Sequence, residues 1–200
     1  MSKIKWIIFD VSGVLTHFTF TNPNGYRVKN KHIESKKLES IYFTKEYKDY
    51  MLGHLSHSDF LTTFLQKNDI DLNVEEFNKI FDDDLRPIQG IKDLISKMSA
   101  KYKIALATNE GDILSRYRIE KANIRVFIQE IISSYKIKEL KPSIEFFKKM
   151  LMILKAKPEE CIFIDDDKKN INAVHQLNIN SILFKNSEEL ENEFKALKII

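Results

Sequence analysis

Three short apolar runs in this chain stop abruptly at residues that can do chemistry. Residues 6–9 run into Asp10, residues 103–107 into Thr108 and Asn109, and residues 161–164 into Asp165, Asp166 and Asp167. Lys141, directly before Pro142, is a fourth candidate. Carboxylates gathered at one point repel one another, so such a set needs a compensating cation. Oxygen ligands of this kind, left partly open, suit Mg²⁺, which keeps several waters and shares a substrate phosphate. A hydroxyl, an amide and an ammonium group can hold the remaining phosphate oxygens. An aspartate can then attack phosphorus and form an aspartyl-phosphate.

For these residues to meet, the elements that carry them must end at one edge. The run Trp6, Ile7, Ile8, Phe9 has no polar side chain and reads as a strand buried on both faces. From Pro87 onward helices and strands alternate. A helix bearing Ile91, Leu94, Ile95 and Met98 precedes a strand over 103–107, a helix over 112–122 and a strand over 128–133. After Pro142 a helix turns Ile144, Phe147, Met150, Leu151 and Leu154 inward, followed by a strand over 161–164, a helix over 168–177, a strand over 180–184 and a helix over 187–195. This alternation predicts an α/β fold, a Rossmann-like parallel sheet with helices on both faces. Open α/β sheets bind ligands at the C-terminal ends of their strands, so distant residues converge on one crevice there. Gly13 lets the chain turn sharply away from Asp10.

Residues 31–84 follow a different pattern. Ile33, Leu38, Ile41 and Tyr42, then Tyr47, Tyr50 and Met51, recur at helical spacing, and Gly53 reads as a stop. Ser58 and Asp59 open a further helix, and Asn73 with Glu76 three residues on has the form of a capping box. Nothing in this block predicts a strand. The expected organisation is a core of residues 1–17 and 86–200 with a small all-α cap over 18–85.

Composition narrows the classes. In 200 residues, 43% hydrophobic content with fourteen Phe and seven Tyr is enough for a real core. The 32 basic and 29 acidic residues are interspersed, with a net charge of +3, which excludes a nucleic-acid footprint. The single cysteine, Cys161, excludes an intramolecular disulfide and lies in an apolar run, where packing is its expected role. No stretch has the length of a signal peptide or a membrane span, so a soluble, cytoplasmic protein is expected, as monomer or homodimer, without nucleic-acid or membrane partners.

With these residues in place, the chain resembles the haloacid dehalogenase-like superfamily of Mg²⁺-dependent phosphohydrolases over nearly its whole length. Phe9-Asp10-Val11-Ser12-Gly13-Val14-Leu15 is similar to the first motif of that family, Ala107-Thr108-Asn109 to the second, Leu140-Lys141-Pro142 with Phe146-Phe147 to the third, and Phe163-Ile164-Asp165-Asp166 with Asn170 to the fourth. The resemblance implies Asp10 as nucleophile, Thr108 as phosphate donor and Lys141 as the group that neutralises nucleophile and phosphate. It also implies that Asp10, the Ser12 carbonyl, Asp166 and Asp165 hold Mg²⁺. The insert is similar to the helical cap that the family carries at that point. The branches it most resembles are small sugar-phosphate phosphatases and the phosphatase domain attached to soluble epoxide hydrolases. The implied substrate is a small phosphorylated metabolite.

One position departs from the pattern. Most phosphatases of the superfamily carry a second Asp two residues after the nucleophile, which protonates the leaving oxygen and later activates water; here that residue is Ser12. A hydroxyl is a poor general acid near neutral pH, and such help is typically worth roughly 10²–10⁴-fold. Two alternatives follow: a metal-independent dehalogenase-type hydrolase, or a weakened member that binds a phosphorylated ligand or a protein. Other polar residues have plainer expected roles. Asp167 reads as a helix-start acid, Asn109 as a loop-orienting or substrate-touching amide, and Asn170 as a group bonding the aspartates. His17, His54 and His57 read as polar surface, and Asp82, Asp83 and Asp84 as a solvated face at the junction of cap and core.

Overall fold

The computed structural model describes residues 4–200. Its strands are β1 (Trp6–Phe9), β2 (Tyr26–Val28), β3 (Lys31–Ile33), β4 (Lys103–Thr108), β5 (Ile128–Ser133), β6 (Cys161–Asp165) and β7 (Asn180–Leu183). Five of them form one sheet in the order β5-β4-β1-β6-β7, every pair parallel. Parallel neighbours need crossovers, which α5 (Ile91–Ser99), α6 (Asp112–Lys121), α8 (Ile144–Leu154) and α9 (Lys168–His175) supply. This is the expected Rossmann-like core.

Strand alternation sends successive side chains to opposite layers. Ile7, Phe9, Leu106 and Ile164 join Ile91, Ile95 and Phe194 on one face. Ile8, Ala105 and Phe163 join Phe146, Phe147 and Met150 on the other. Both faces are therefore dry, as the apolar runs require. Cys161 packs inside the second layer, where burial pushes its thiol up to about 12.

The insert contains α1 (Ser35–Glu39), α2 (Lys45–Met51), α3 (His57–Lys67) and α4 (Val74–Asp84), with a core of its own around Phe20, Tyr50, Phe60, Phe64 and Phe77. The Asn73–Glu76 capping box is present at the start of α4. Helix α3 starts earlier than the pattern predicts, because Ser56 rather than Ser58 accepts the capping bond, from the Asp59 N–H at 3.1 Å.

The insert is not wholly helical. Strands β2 and β3 pair as an antiparallel hairpin, with Tyr26 opposite Ile33. Three-residue strands are too short to show a period, and the Lys29-Asn30 turn lacks the usual glycine signal, Lys29 itself taking a φ of 54°. Core and insert join through two adjacent crossings. The His17 N–H donates to the Arg86 carbonyl at 2.9 Å, and Thr16 bridges antiparallel to Pro87.

Candidate active site

The central strands β4, β1 and β6 lie side by side, so their C-terminal ends deliver Thr108, Asp10 and Asp165 to one edge. Phe9 is in register with both Leu106 and Ile164, and the Asp10 N–H donates to the Ile164 carbonyl at 2.8 Å. Asp10 therefore leaves β1 one step past its last paired residue, beside Asp165.

Lys141 is buried between the two carboxylates. Its Nζ lies 2.7 Å from Asp10 Oδ1 and 2.7 Å from Asp165 Oδ2. Burial disfavours the charged form of Lys141, but Asp10 and Asp165 outweigh it and hold its pKa above the usual lysine value. Asn109 positions the lysine: its Nδ2 donates to the Lys141 carbonyl and its Oδ1 accepts from the Lys141 N–H, both at 2.7 Å. Asp165 is held from three sides, by Lys141, by Asn170 Nδ2 at 3.0 and 2.9 Å, and by the Asp167 N–H at 2.8 Å. Asp167 turns away from the cluster and caps α9 by accepting from the Lys169 N–H. Asn170 and Asp167 thus take the roles their sequence positions suggest.

Asp10, Asp165 and Asp166 can each bring a carboxylate oxygen within 4.8 Å of the other two. Gly13 makes room for this. It has a φ of 83°, and a Cβ there would stand 2.2 Å from Asp166 Oδ2. A side chain would be strained at that φ and would displace the carboxylate.

Three carboxylates face a single ammonium group, so the cluster is short of positive charge. Burial pushes Asp10 up to about 7, with Lys141 opposing and Asp165 adding to the rise. Burial and the Asp165 charge raise Asp166 as well. An all-oxygen set in this state fits a divalent cation such as Mg²⁺.

A cavity of about 400 Å³ opens over this edge. Asp10, Ser12, Thr108, Asn109, Lys141 and Asp166 line its floor, and Phe18, Glu39, Tyr42, Phe43, Tyr47 and Met51 line its roof. Thr108 does not cap the following helix, since Gly111 occupies that position. A roomier but shallower hollow of about 830 Å³ lies between α5 and α10 (Ser187–Ala196). Acids and lysines alternate along it and the carboxylate cluster is absent from its lining, so chemistry rather than volume assigns the site.

Several contributors escaped the sequence reading. The roof residues carry no motif. Asp84 does more than face solvent: its Oδ2 accepts from the Phe20 N–H at 2.6 Å and ties the end of α4 to the first crossing. His57 is half-buried rather than surface-exposed, with Nε2 2.8 Å from Asn78 Oδ1 and Nδ1 3.1 Å from the Tyr50 hydroxyl. Tyr50 lies against Gly111, where an added Cβ would meet its ring at 1.9 Å. The Glu110–Arg118 pair was also missed, although the spacing of Leu114 and Arg118 places both on one helical face.

Fold and site together define a capped α/β hydrolase. Residues 7–184 match the model of the haloacid dehalogenase-like hydrolases, and the chain belongs to that family. No curated protein sequence matches the chain. Among solved structures it is similar to a HAD family enzyme from Bacteroides thetaiotaomicron in complex with magnesium and inorganic phosphate, with TM-score 0.77 and 19% identity over 96% of this chain and 99% of that one. A predicted HAD-like family hydrolase from Porphyromonas gingivalis has TM-score 0.76 and 21% identity over 98% of each chain. L-2-haloacid dehalogenase from Xanthobacter autotrophicus, with chloropropionic acid covalently bound, has TM-score 0.65 and 14% identity over 98% of this chain and 84% of that one. Identities this low show a shared fold and no more. No helix among the described residues is long and apolar enough to cross a membrane.

Proposed function

We propose that this hydrolase is a Mg²⁺-dependent phosphatase that acts on a small phosphorylated metabolite, with Asp10 as the nucleophile. The charge imbalance around Asp10 carries this reading. A dehalogenase attacks carbon and needs no metal, so Asp165 and Asp166 would only add repulsion to its site. A phosphatase uses the same carboxylates to retain a cation.

Asp10, Asp166 and the Ser12 carbonyl would hold the metal, with Asp165 beside them. When bound, it supplies positive charge for the phosphoryl oxygens. Lys141 orients Asp10 and meets charge that develops on the transferred group. The Thr108 hydroxyl donates to a phosphoryl oxygen. Asp10 attacks phosphorus, the leaving oxygen departs, and water later cleaves the aspartyl-phosphate.

Ser12 offers no titrating group for the leaving oxygen or for that water. The reaction therefore favours esters whose leaving group is stable as an anion, an anomeric sugar phosphate among them. The aromatic roof excludes bulk water and selects the substrate. The test is phosphate release from p-nitrophenyl phosphate, acetyl phosphate and a panel of sugar phosphates, with and without Mg²⁺. Release that requires Mg²⁺ and is lost in Asp10→Asn supports the reading. Halide release from 2-haloacids without metal contradicts it.

A further inference from the structure

Arg118, on α6, is fully buried, a rare position for a guanidinium. Its Nε donates to both Glu110 carboxylate oxygens, at 2.9 and 3.1 Å. Its Nη1 donates to Thr16 Oγ1 at 2.9 Å and to the His17 carbonyl at 3.1 Å. Its guanidinium carbon lies 5.0 Å from the centre of the Phe81 ring on α4.

Each contact belongs to a different part of the active-site surround. Glu110 follows the Thr108-Asn109 loop. Thr16 closes the loop that leaves Asp10: it bridges to Ser12, and its carbonyl accepts from the Gly13 N–H at 2.8 Å. Phe81 belongs to the last helix of the cap. Tyr42, on the cavity wall, shares a hydrogen bond with Thr19, and the Arg118 charge opposes the upward push of burial on its hydroxyl. Neither Arg118 nor Glu110 lines the cavity.

We infer that the Arg118–Glu110 pair is a positioning unit that clamps the nucleophile loop, the phosphate loop and the cap to one another. The planar fork of arginine reaches three acceptors at once, which a lysine ammonium cannot reproduce. The inference rests on the phosphatase reading for its activity readout alone.

Stability and positioning can be separated, because a buried ion pair can often be replaced as a whole by uncharged residues without loss of stability. In the full chain, Arg118→Met strands the Glu110 charge, and the melting temperature falls by about 10 °C. Adding Glu110→Gln removes that charge and returns the melting temperature to within a few degrees. The double variant nevertheless loses about tenfold or more in kcat with p-nitrophenyl phosphate, with KM little changed, because reacting groups are displaced but no substrate contact is removed. Its amides at Gly13 and His17 exchange hydrogen faster than in the wild type. Activity that recovers together with the melting temperature would overturn the inference and leave the pair a packing element.

Should the double variant fail to fold, Arg118→Lys carries the test by the same criterion, a drop in kcat larger than its loss of stability explains. Should the wild type release no phosphate from any ester with Mg²⁺, the phosphatase reading falls and the exchange measurement decides alone. Faster exchange at Gly13 and His17 at an unchanged melting temperature supports the clamp, and unchanged exchange overturns it.

Discussion

The floor and the roof of the cavity are held by different forces. The floor is three adjacent strand ends whose polar groups are cross-bonded: Lys141 joins two carboxylates, Asn109 grips the lysine backbone twice, and Asp165 accepts from three residues. The roof consists of short helices of the insert and relies on ring packing, with Tyr42 against Tyr47 and Tyr47 against Phe60. At its rim Phe43 is 84% exposed and Phe18 55% exposed. Charges in a dry setting must be placed accurately or they are destabilising, whereas apolar rings tolerate substitution of similar volume. The difference implies a fixed chemistry beneath an adaptable selector.

Substitutions in the floor should therefore have far larger effects than those in the roof. Asp10→Asn should lower Mg²⁺-dependent phosphate release by about 10⁴-fold or more, the scale on which loss of a nucleophile is felt, with the fold intact by circular dichroism. Lys141→Met should leave Asp10 and Asp165 without their counter-ion and reduce stability by about 3–5 kcal/mol in denaturant titration, with Mg²⁺ restoring part of the loss.

Mg²⁺ at a hundred times its dissociation constant should stabilise the wild type by about 2.7 kcal/mol, read as a rise in melting temperature, and Asp166→Asn should abolish most of that rise. In the roof, Phe43→Ala should raise KM only a few-fold and leave kcat nearly unchanged. A loss in kcat as large as that of Lys141→Met would erase the contrast between the two walls.

The smallest effect concerns pH. Burial holds His57 below its ordinary value, with the bond to Asn78 acting the other way. The unfolded chain takes up this proton near pH 6.5 and the folded chain only at lower pH, so the full stability of the cap is present above about 6.5 and declines as pH falls below it. His57→Gln should flatten that decline in acid titrations of thermal stability.

The contrast also explains what could be read from the sequence. Dry parallel strands must be continuous apolar runs, so β1, β4 and β6 announced themselves, and the polar residue that ends each run marked the floor. The roof left no such mark. Tyr42, Phe43 and Met51 are ordinary core-forming residue types, and which of them face the cavity depends on how the insert lies over the sheet. The β2–β3 hairpin is too short to show a period. Arg118 occupies a helix position where charge usually means solvent, and only its contacts with Thr16, His17 and Glu110, distant in sequence or in an unremarkable loop, reveal that it points inward.

The central claim is that Asp10 becomes covalently phosphorylated. Because Ser12 cannot activate the attacking water, the aspartyl-phosphate should persist long enough to trap. The direct measurement is acid quenching of the protein during turnover of a radiolabelled phosphoester with Mg²⁺, followed by peptide analysis. The account predicts label on the peptide that contains Asp10, and none in Asp10→Asn. Equal Mg²⁺-dependent turnover by wild type and Asp10→Asn, with no labelled peptide in either, would contradict it.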